Sequence, residues 1–220
     1  MGTGVDLLVP VKMLHSAKSR LLGAADGGVG DRARHAQLVV ALLLDTMSAA
    51  RGADGVRRVI AVTSDLVVSA AVLAEGHTVL AEPPEGGLNT ALRHGSEQLL
   101  AADSSVRVGA LQADLPALRS DDLAEALVEA GAGRAFCADR QGTGTTMLIA
   151  ASGSPLRPEF GVGSAARHAG SGAAPLAGRR PTLRCDVDTE DDLREAARLG
   201  LGEHTRAVLA ARCHRDRHAC

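Results

Sequence analysis

The sequence predicts an α/β fold, a three-layer sandwich in which a mostly parallel sheet carries helices on both faces, and three observations predict it. Apolar runs of strand length alternate with segments of helical period through nearly the whole chain, as repeated strand and crossover units require. The residues are 45% hydrophobic but only 1% aromatic, without Trp or Tyr, so the core is built from Ala, Val, Leu and Ile, which suit layered packing. At 220 residues the chain can bury such a core without disulfide or metal staples, and no internal repeat divides it. One domain is expected over 1–212, with 213–220 a disordered tail.

Val5 to Val11 is a short apolar run that opens at Lys12, the form of a buried parallel strand ending in a site. From Asp31 to Arg51, Ala36, Val40, Leu43, Met47 and Ala50 recur with helical period, and Asp31 is placed to cap that helix. Arg57 to Thr63 is a second strand, Leu66 to Glu75 a helix closed by Gly76, and His77 to Ala81 a third strand. A helix over Leu88 to Ala101 precedes a strand at Val106 to Leu111, which Pro116 keeps from continuing. Leu123, Leu127 and Ala130 mark another helix, followed by strands at Arg134 to Asp139 and Thr145 to Ala151. Ser152 to Gly178, rich in Gly, Ser, Ala and Pro, is expected to be loops around one short helix and a candidate lid. Leu183 to Val187 has the composition of a last strand, and Glu190 to Leu199 begins a helix with three acids in its first turn.

The formal charge of -2 provides no broad basic field, so no nucleic-acid partner is expected. Cys137, Cys185, Cys213 and Cys220 form no C-x-x-C pair, which argues against a zinc ribbon or a secreted disulfide framework and fits the cytoplasm. No stretch approaches the ~20 apolar residues of a membrane span, so no membrane partner is expected either.

Ligands of such sheets bind beyond the strand C-terminal ends. The residues there are Lys12, Thr63 to Asp65, Gln112 to Asp114, and Asp186 with Asp188. Asp186 and Asp188 are two apart on an extended segment and face one side, where Asp114 from a neighbouring strand end can join them. Three carboxylates without His or Cys select magnesium or manganese rather than zinc, the arrangement of phosphoryl transfer. The competing reading is that DVDTEDD only caps the helix that follows. Lys12, Lys18 and Arg20 lie in the loop after the first strand, where the phosphates of a nucleotide would sit, although no G-x-x-x-x-G-K-[ST] loop is present. Thr143, Thr145, Gly161 and Ser164 supply hydroxyls and backbone N–H groups that suit a small anion. His168 is not required as a base, because a phosphate nucleophile is already deprotonated near neutral pH. The tail Cys213 to Cys220 is a weak alternative soft-metal site.

Taken together, VPVKMLHSAKSRL, the DTM at Asp45 to Met47, GLNTAL at Gly87 to Leu92, QADLPAL, ADRQGTGTTML, FGVGSAARH and RCDVDTEDDL resemble the guanylyltransferases of deazaflavin coenzyme F-420 biosynthesis over almost the entire chain. The resemblance implies a Rossmann-like fold of the nucleotidyltransferase (nucleotide-diphospho-sugar transferase) type. It implies Asp114, Asp186 and Asp188 as metal ligands and catalytic residues, with Mg²⁺ expected as two ions. It implies Thr145, Gly161 and Ser164 as phosphoenolpyruvate contacts, Lys12, Lys18 and Arg20 as groups facing the GTP phosphates, and Asn89 beside the nucleoside; Lys18 is also placed in the catalytic set. Ala113 stands where the family often has Gly before the metal aspartate, which alters only backbone freedom.

The expected reaction is attack by a phosphate oxygen of the acid on the α-phosphorus of GTP, with pyrophosphate leaving. Phosphoenolpyruvate is the first choice of acceptor and the product is expected to pass to the next F-420 pathway transferase; 2-phospho-L-lactate and 3-phosphoglycerate stay open. A molybdenum-cofactor guanylyltransferase would carry a Gly-rich loop after the first strand, which VPVKMLHSAKSRL lacks. A non-catalytic nucleotide-binding module would not need the three aspartates.

Overall fold

The structure, a computed structural model, describes residues 4–11, 13–14 and 18–216. β1 (Val5–Pro10) is buried along its whole length and pairs in parallel with β2 (Val56–Val62) on one side and β4 (Arg107–Leu111) on the other. β2 pairs in parallel with β3 (Thr78–Leu80). Beyond β4 the sheet reverses once: β6 (Thr145–Ile149) runs antiparallel to both β4 and β5 (Ala135–Ala138). The two-residue β7 (Ala174–Pro175), too short to carry a sequence signal, pairs in parallel with β5, giving the seven-stranded order β3-β2-β1-β4-β6-β5-β7.

Alternation along β1 divides the core between two layers. Leu7 and Val9 pack with Leu43 and Met47 of α1 (Arg32–Arg51), Val68 and Val72 of α2 (Leu66–Ala74) and Leu123 of α4 (Ser120–Ala130). Leu8, pointing the other way, packs with Ile60, with Ala91 and Leu92 of α3 (Leu88–Ala102), and with Ala165 of α5 (Ser164–Gly170). A third cluster joins Leu38 and Leu42 of α1 to Val187 and to Leu193 and Ala196 of α6 (Glu190–Leu199). The three-layer expectation is therefore met.

Asp31 caps α1 as expected, accepting from Ala33 N–H at 2.7 Å. Asp65, one of the residues past a strand end, serves as a cap too: it accepts from Val67 N–H at 2.9 Å and ties down Leu14 N–H at 3.0 Å.

One expected strand is not a strand. Leu183 to Val187 is turn and coil, and its backbone meets the end of β4 only where Val187 N–H donates to the Asp114 carbonyl at 3.0 Å. The alternation that suggested a strand is real, since Leu183, Cys185 and Val187 are buried, but it arises from packing under the helical layer and not from a ladder.

α7 (Glu203–Asp216) was not anticipated, and it takes Cys213 to Asp216 of the expected tail into a helix; residues 217–220 lie outside the described residues. Its first turn is held by Asp45, whose carboxylate accepts from His204 N–H at 2.9 Å and Thr205 N–H at 2.8 Å. Gly202 stands where any Cβ would lie 2.2 Å from the Asp45 carboxyl carbon. Among the described residues no helix is long and apolar enough to cross a membrane.

Candidate active site

The site is assembled at the C-terminal ends of β1 and β4. Gln112 N–H donates to the Thr146 carbonyl at 2.8 Å, extending the β4 and β6 pairing by one residue before the chain turns at Asp114. Thr46, fully buried on α1, fixes that turn from below. Its hydroxyl accepts from Leu115 N–H at 2.9 Å and donates to its own helix at Leu42 C=O, 2.8 Å. With Val187 N–H on the Asp114 carbonyl, the backbone of Asp114 is held by two distant segments.

In the DVDTEDD segment the two readings apply to different residues. Thr189 and Asp192 form a capping box on α6, with Thr189 Oγ1 accepting from Asp192 N–H at 3.2 Å and Asp192 accepting from Thr189 N–H at 3.0 Å. Asp192 also accepts from Arg140 at 2.8 Å. Asp188 adds its backbone N–H to Asp192 at 3.4 Å while its carboxylate meets Lys18, and Asp186 lies near enough to Asp114 and Asp188 to feel both charges.

Lys18 sits in the left-handed region at φ 52, uncommon for a residue with a side chain, ahead of a 3₁₀ turn over Ser19–Leu21. Its ammonium bridges the carboxylates of Asp114 and Asp188. Burial works against the charged amine, but Asp114 and Asp188 outweigh it and raise its pKa, so Lys18 stays protonated. Asp186 is pushed up to about 7, first by burial and then by the negative charges of Asp114 and Asp188, with Lys18 opposing. The cluster thus carries more negative charge than one lysine relieves.

Among the described residues no three His, Cys, Asp or Glu side chains are drawn tightly enough together to hold a metal ion as they stand. The donor set nonetheless fits a hard cation. It is all carboxylate oxygen, and Asp114 Oδ1 is buried without a hydrogen-bond partner among the described residues.

A cavity of about 470 Å³ opens beside the cluster, within the range of small-molecule sites. Pro10 and Val11 at the end of β1, Lys18, Arg20, Asp114 and Asp188 line it, with Val162 reaching in from the loop before α5. Arg20 is exposed there. Lys12 lies outside the described residues.

Thr145 and Ser164, both buried, meet at 3.1 Å between their hydroxyl oxygens, and Thr145 Oγ1 is 2.9 Å from His168 Nδ1. Gly161, at φ 121, makes the turn that carries Val162 to the cavity. Thr143 is exposed, its carbonyl accepting from Ala165 N–H at 3.1 Å. Burial first, then the charges of Arg134 and Arg167, hold His168 down to about 4, so the ring is neutral at physiological pH. The amide of Asn89, the residue expected beside the nucleoside, donates to Phe160 C=O at 3.0 Å and accepts from Phe160 N–H at 2.8 Å, pinning the loop to α3.

Sequence reasoning missed Thr46 and Asp139 as individual residues. Asp139 accepts from Thr143 N–H at 2.9 Å and Gly144 N–H at 2.8 Å, shaping the turn into Thr145. The available signal was their place in the DTM and ADRQGTGTTML motifs.

A family model described as "CofC: Guanylyl transferase CofC like" matches residues 5–212. Relatives named phosphoenolpyruvate guanylyltransferase include that of Geodermatophilus obscurus, 47% identical over 205 residues and 93% of each chain. The one from Streptomyces coelicolor is 45% identical over 206 residues, 93% of this chain and 95% of that one. Among solved structures, a nucleotidyl transferase from Methanothermobacter thermautotroptrophicus superposes with TM-score 0.59 at 16% identity, covering 90% of this chain and 98% of that one. A 4-diphosphocytidyl-2C-methyl-D-erythritol synthase gives TM-score 0.59 at 15% identity, covering 90% and 99%. These two share the fold.

Proposed function

The chain belongs to the CofC-like guanylyl transferase family, and on that premise we propose that it joins the GMP moiety of GTP to phosphoenolpyruvate, releasing pyrophosphate and giving enolpyruvyl-diphospho-guanosine. The observation that carries this reading is the Lys18 ammonium held between Asp114 and Asp188 beside a cavity at the strand ends.

A phosphate oxygen of the acid attacks the α-phosphorus of GTP in line, the bond from that phosphorus to the oxygen bridging to the β-phosphate breaks, and pyrophosphate departs with the electron pair. Both reactants are anions, so their repulsion is the main obstacle. Lys18 and Arg20 place positive charge along the cavity for the triphosphate, and Lys12, six residues before Lys18 in the sequence, is expected to add to it. The hydroxyls of Thr145 and Ser164 and the backbone at Gly161 hold the acid. The nucleophile needs no base, which agrees with a buried, neutral His168. Asp114, Asp186 and Asp188 would hold Mg²⁺, expected as two ions, and the bound metal supplies positive charge to the phosphate oxygens. Asn89 acts in this scheme by aligning the loop at Phe160, and the product goes on to the next transferase of coenzyme F-420 synthesis.

The test incubates purified protein with Mg²⁺, GTP and, separately, phosphoenolpyruvate, 2-phospho-L-lactate or 3-phosphoglycerate, with the following pathway enzyme and its deazaflavin substrate present as a trap. Pyrophosphate and product mass are measured. Release that requires both GTP and phosphoenolpyruvate, and is lost in Asp188→Ala, is expected. Turnover with a different acid would reassign the acceptor, and GTP binding without turnover on any acid would leave a nucleotide-binding module.

A further inference from the structure

Three buried side chains beside the proposed acceptor site form a network whose hydrogen-bonding protons can be counted. Thr145 Oγ1 lies 2.9 Å from His168 Nδ1 and 3.1 Å from Ser164 Oγ. On the other edge of the ring, His168 Nε2 is 3.0 Å from the backbone nitrogen of Glu159. A backbone N–H can only donate, so Nε2 is the bare nitrogen and the neutral ring carries its proton on Nδ1. Phe136 and Phe160, with ring centroids 5.9 and 5.2 Å away, hold the imidazole in place. The contact between Thr145 and Ser164 consumes one of their two hydroxyl protons. Because His168 donates to Thr145 and accepts nothing from it, the second hydroxyl proton has no taker among these three side chains. The opposite tautomer would accept from Thr145 and leave the pair with no proton to offer.

We infer that His168 is a positioning residue for the acceptor: by donating from Nδ1 to Thr145 it commits the Thr145 and Ser164 hydroxyls to present one proton to an anionic oxygen of the phosphorylated acid. The inference rests on the acceptor site proposed above. His168 touches neither substrate and acts through Thr145.

Two measurements test it. In ¹⁵N-histidine-labelled protein, two-bond ¹H–¹⁵N correlations should show His168 protonated on Nδ1 and bare on Nε2; the reverse overturns the inference whatever the acceptor is. In kinetics, His168→Leu fills the space without a donor, and His168→Asn returns an N–H near the Nδ1 position. The Leu variant keeps the free hydroxyl proton but loses the donor that orders the Thr145 and Ser164 pair. It should therefore raise KM for phosphoenolpyruvate about three- to fivefold, below the scale of one whole hydrogen bond to an anion, while KM for GTP and kcat change less than about twofold. The Asn variant should recover most of the lost affinity. Equal rises in both KM values, no rise in either, or an Asn variant no better than Leu would each overturn the proposal. If the Leu variant does not fold, the Asn variant and the tautomer decide. A wild-type protein that turns over no phosphorylated acid sinks the acceptor reading itself, whereas a reversed tautomer in an active enzyme sinks only the role given to His168.

Discussion

Thr46→Val tests whether the catalytic turn is held from beneath. Thr46 is fully buried and valine matches its shape, so the change removes a hydroxyl and little else. The lost oxygen is the acceptor for Leu115 N–H at 2.9 Å, and Leu115 is itself fully buried, so no water can replace it. A buried N–H left unpaired costs about 1–3 kcal/mol. For a chain of this length that lowers Tm by roughly 2–4 °C per kcal/mol, or about 4–8 °C for a mid-range cost of about 2 kcal/mol. Asp114 directly precedes the released amide, so its carboxylate should lose its position and turnover should fall about tenfold or more, the scale expected for a misplaced group near the chemistry. Thr46→Ser keeps the hydroxyl and should restore most of both. Differential scanning calorimetry and pyrophosphate release at saturating GTP supply the readouts. A Val variant with wild-type Tm and turnover would refute the reasoning.

Other expectations follow from the same geometry. Asp45→Ala removes the acceptor for His204 N–H and Thr205 N–H and should cost about 1–2 kcal/mol in chemical denaturation, as loss of a helix cap does; an unchanged midpoint would show that α7 does not depend on it. Gly144→Ala places a Cβ 2.3 Å from Asp139 Oδ2, so the turn into Thr145 must move; affinity for the acid should fall, and a variant with wild-type kinetics would argue against that turn as part of the site. His168 is held from 6.5 down to about 4 in the folded chain, so the unfolded chain takes up its proton first as pH falls. Its contribution is therefore complete above the unfolded value and drains between pH 6.5 and 4, by up to about 3 kcal/mol. Wild type should lose more stability than His168→Leu over that window, and parallel profiles from urea titrations would contradict this.

The fold was legible where local pattern and tertiary packing agree. The apolar run at Val5 to Val11 and the period and cap of the helix after Asp31 required no knowledge of distant residues. Leu183 to Val187 misled because alternating burial is only half of what defines a strand; the other half is a neighbour to pair with, and that depends on where α6 and α7 place the segment. α7 escaped notice because its sequence is rich in Ala and charge, and its start is set by Asp45, far away in the chain. At the site, residue type and position after strand ends pointed to Asp114, Asp186 and Asp188 as a group, whereas Asp65, in the same kind of place, proves to be a helix cap. The division of DVDTEDD into cap and cluster, and the use of Asn89 as a clamp on Phe160, depend on side-chain partners that spacing does not reveal.

The central claim is that the aspartate cluster performs chemistry and does not serve mainly to hold the fold. Asp114→Asn keeps the shape of the side chain while removing the charge that Lys18 bridges, and its turnover with GTP and phosphoenolpyruvate in excess Mg²⁺ is the most direct test. A fall of about 10²–10³ in kcat, of the order seen when one electrostatic contact to a transition state is removed, with Tm changed by only a few degrees is the expected result. Turnover within about a factor of ten of wild type, or a protein that no longer folds, would contradict it.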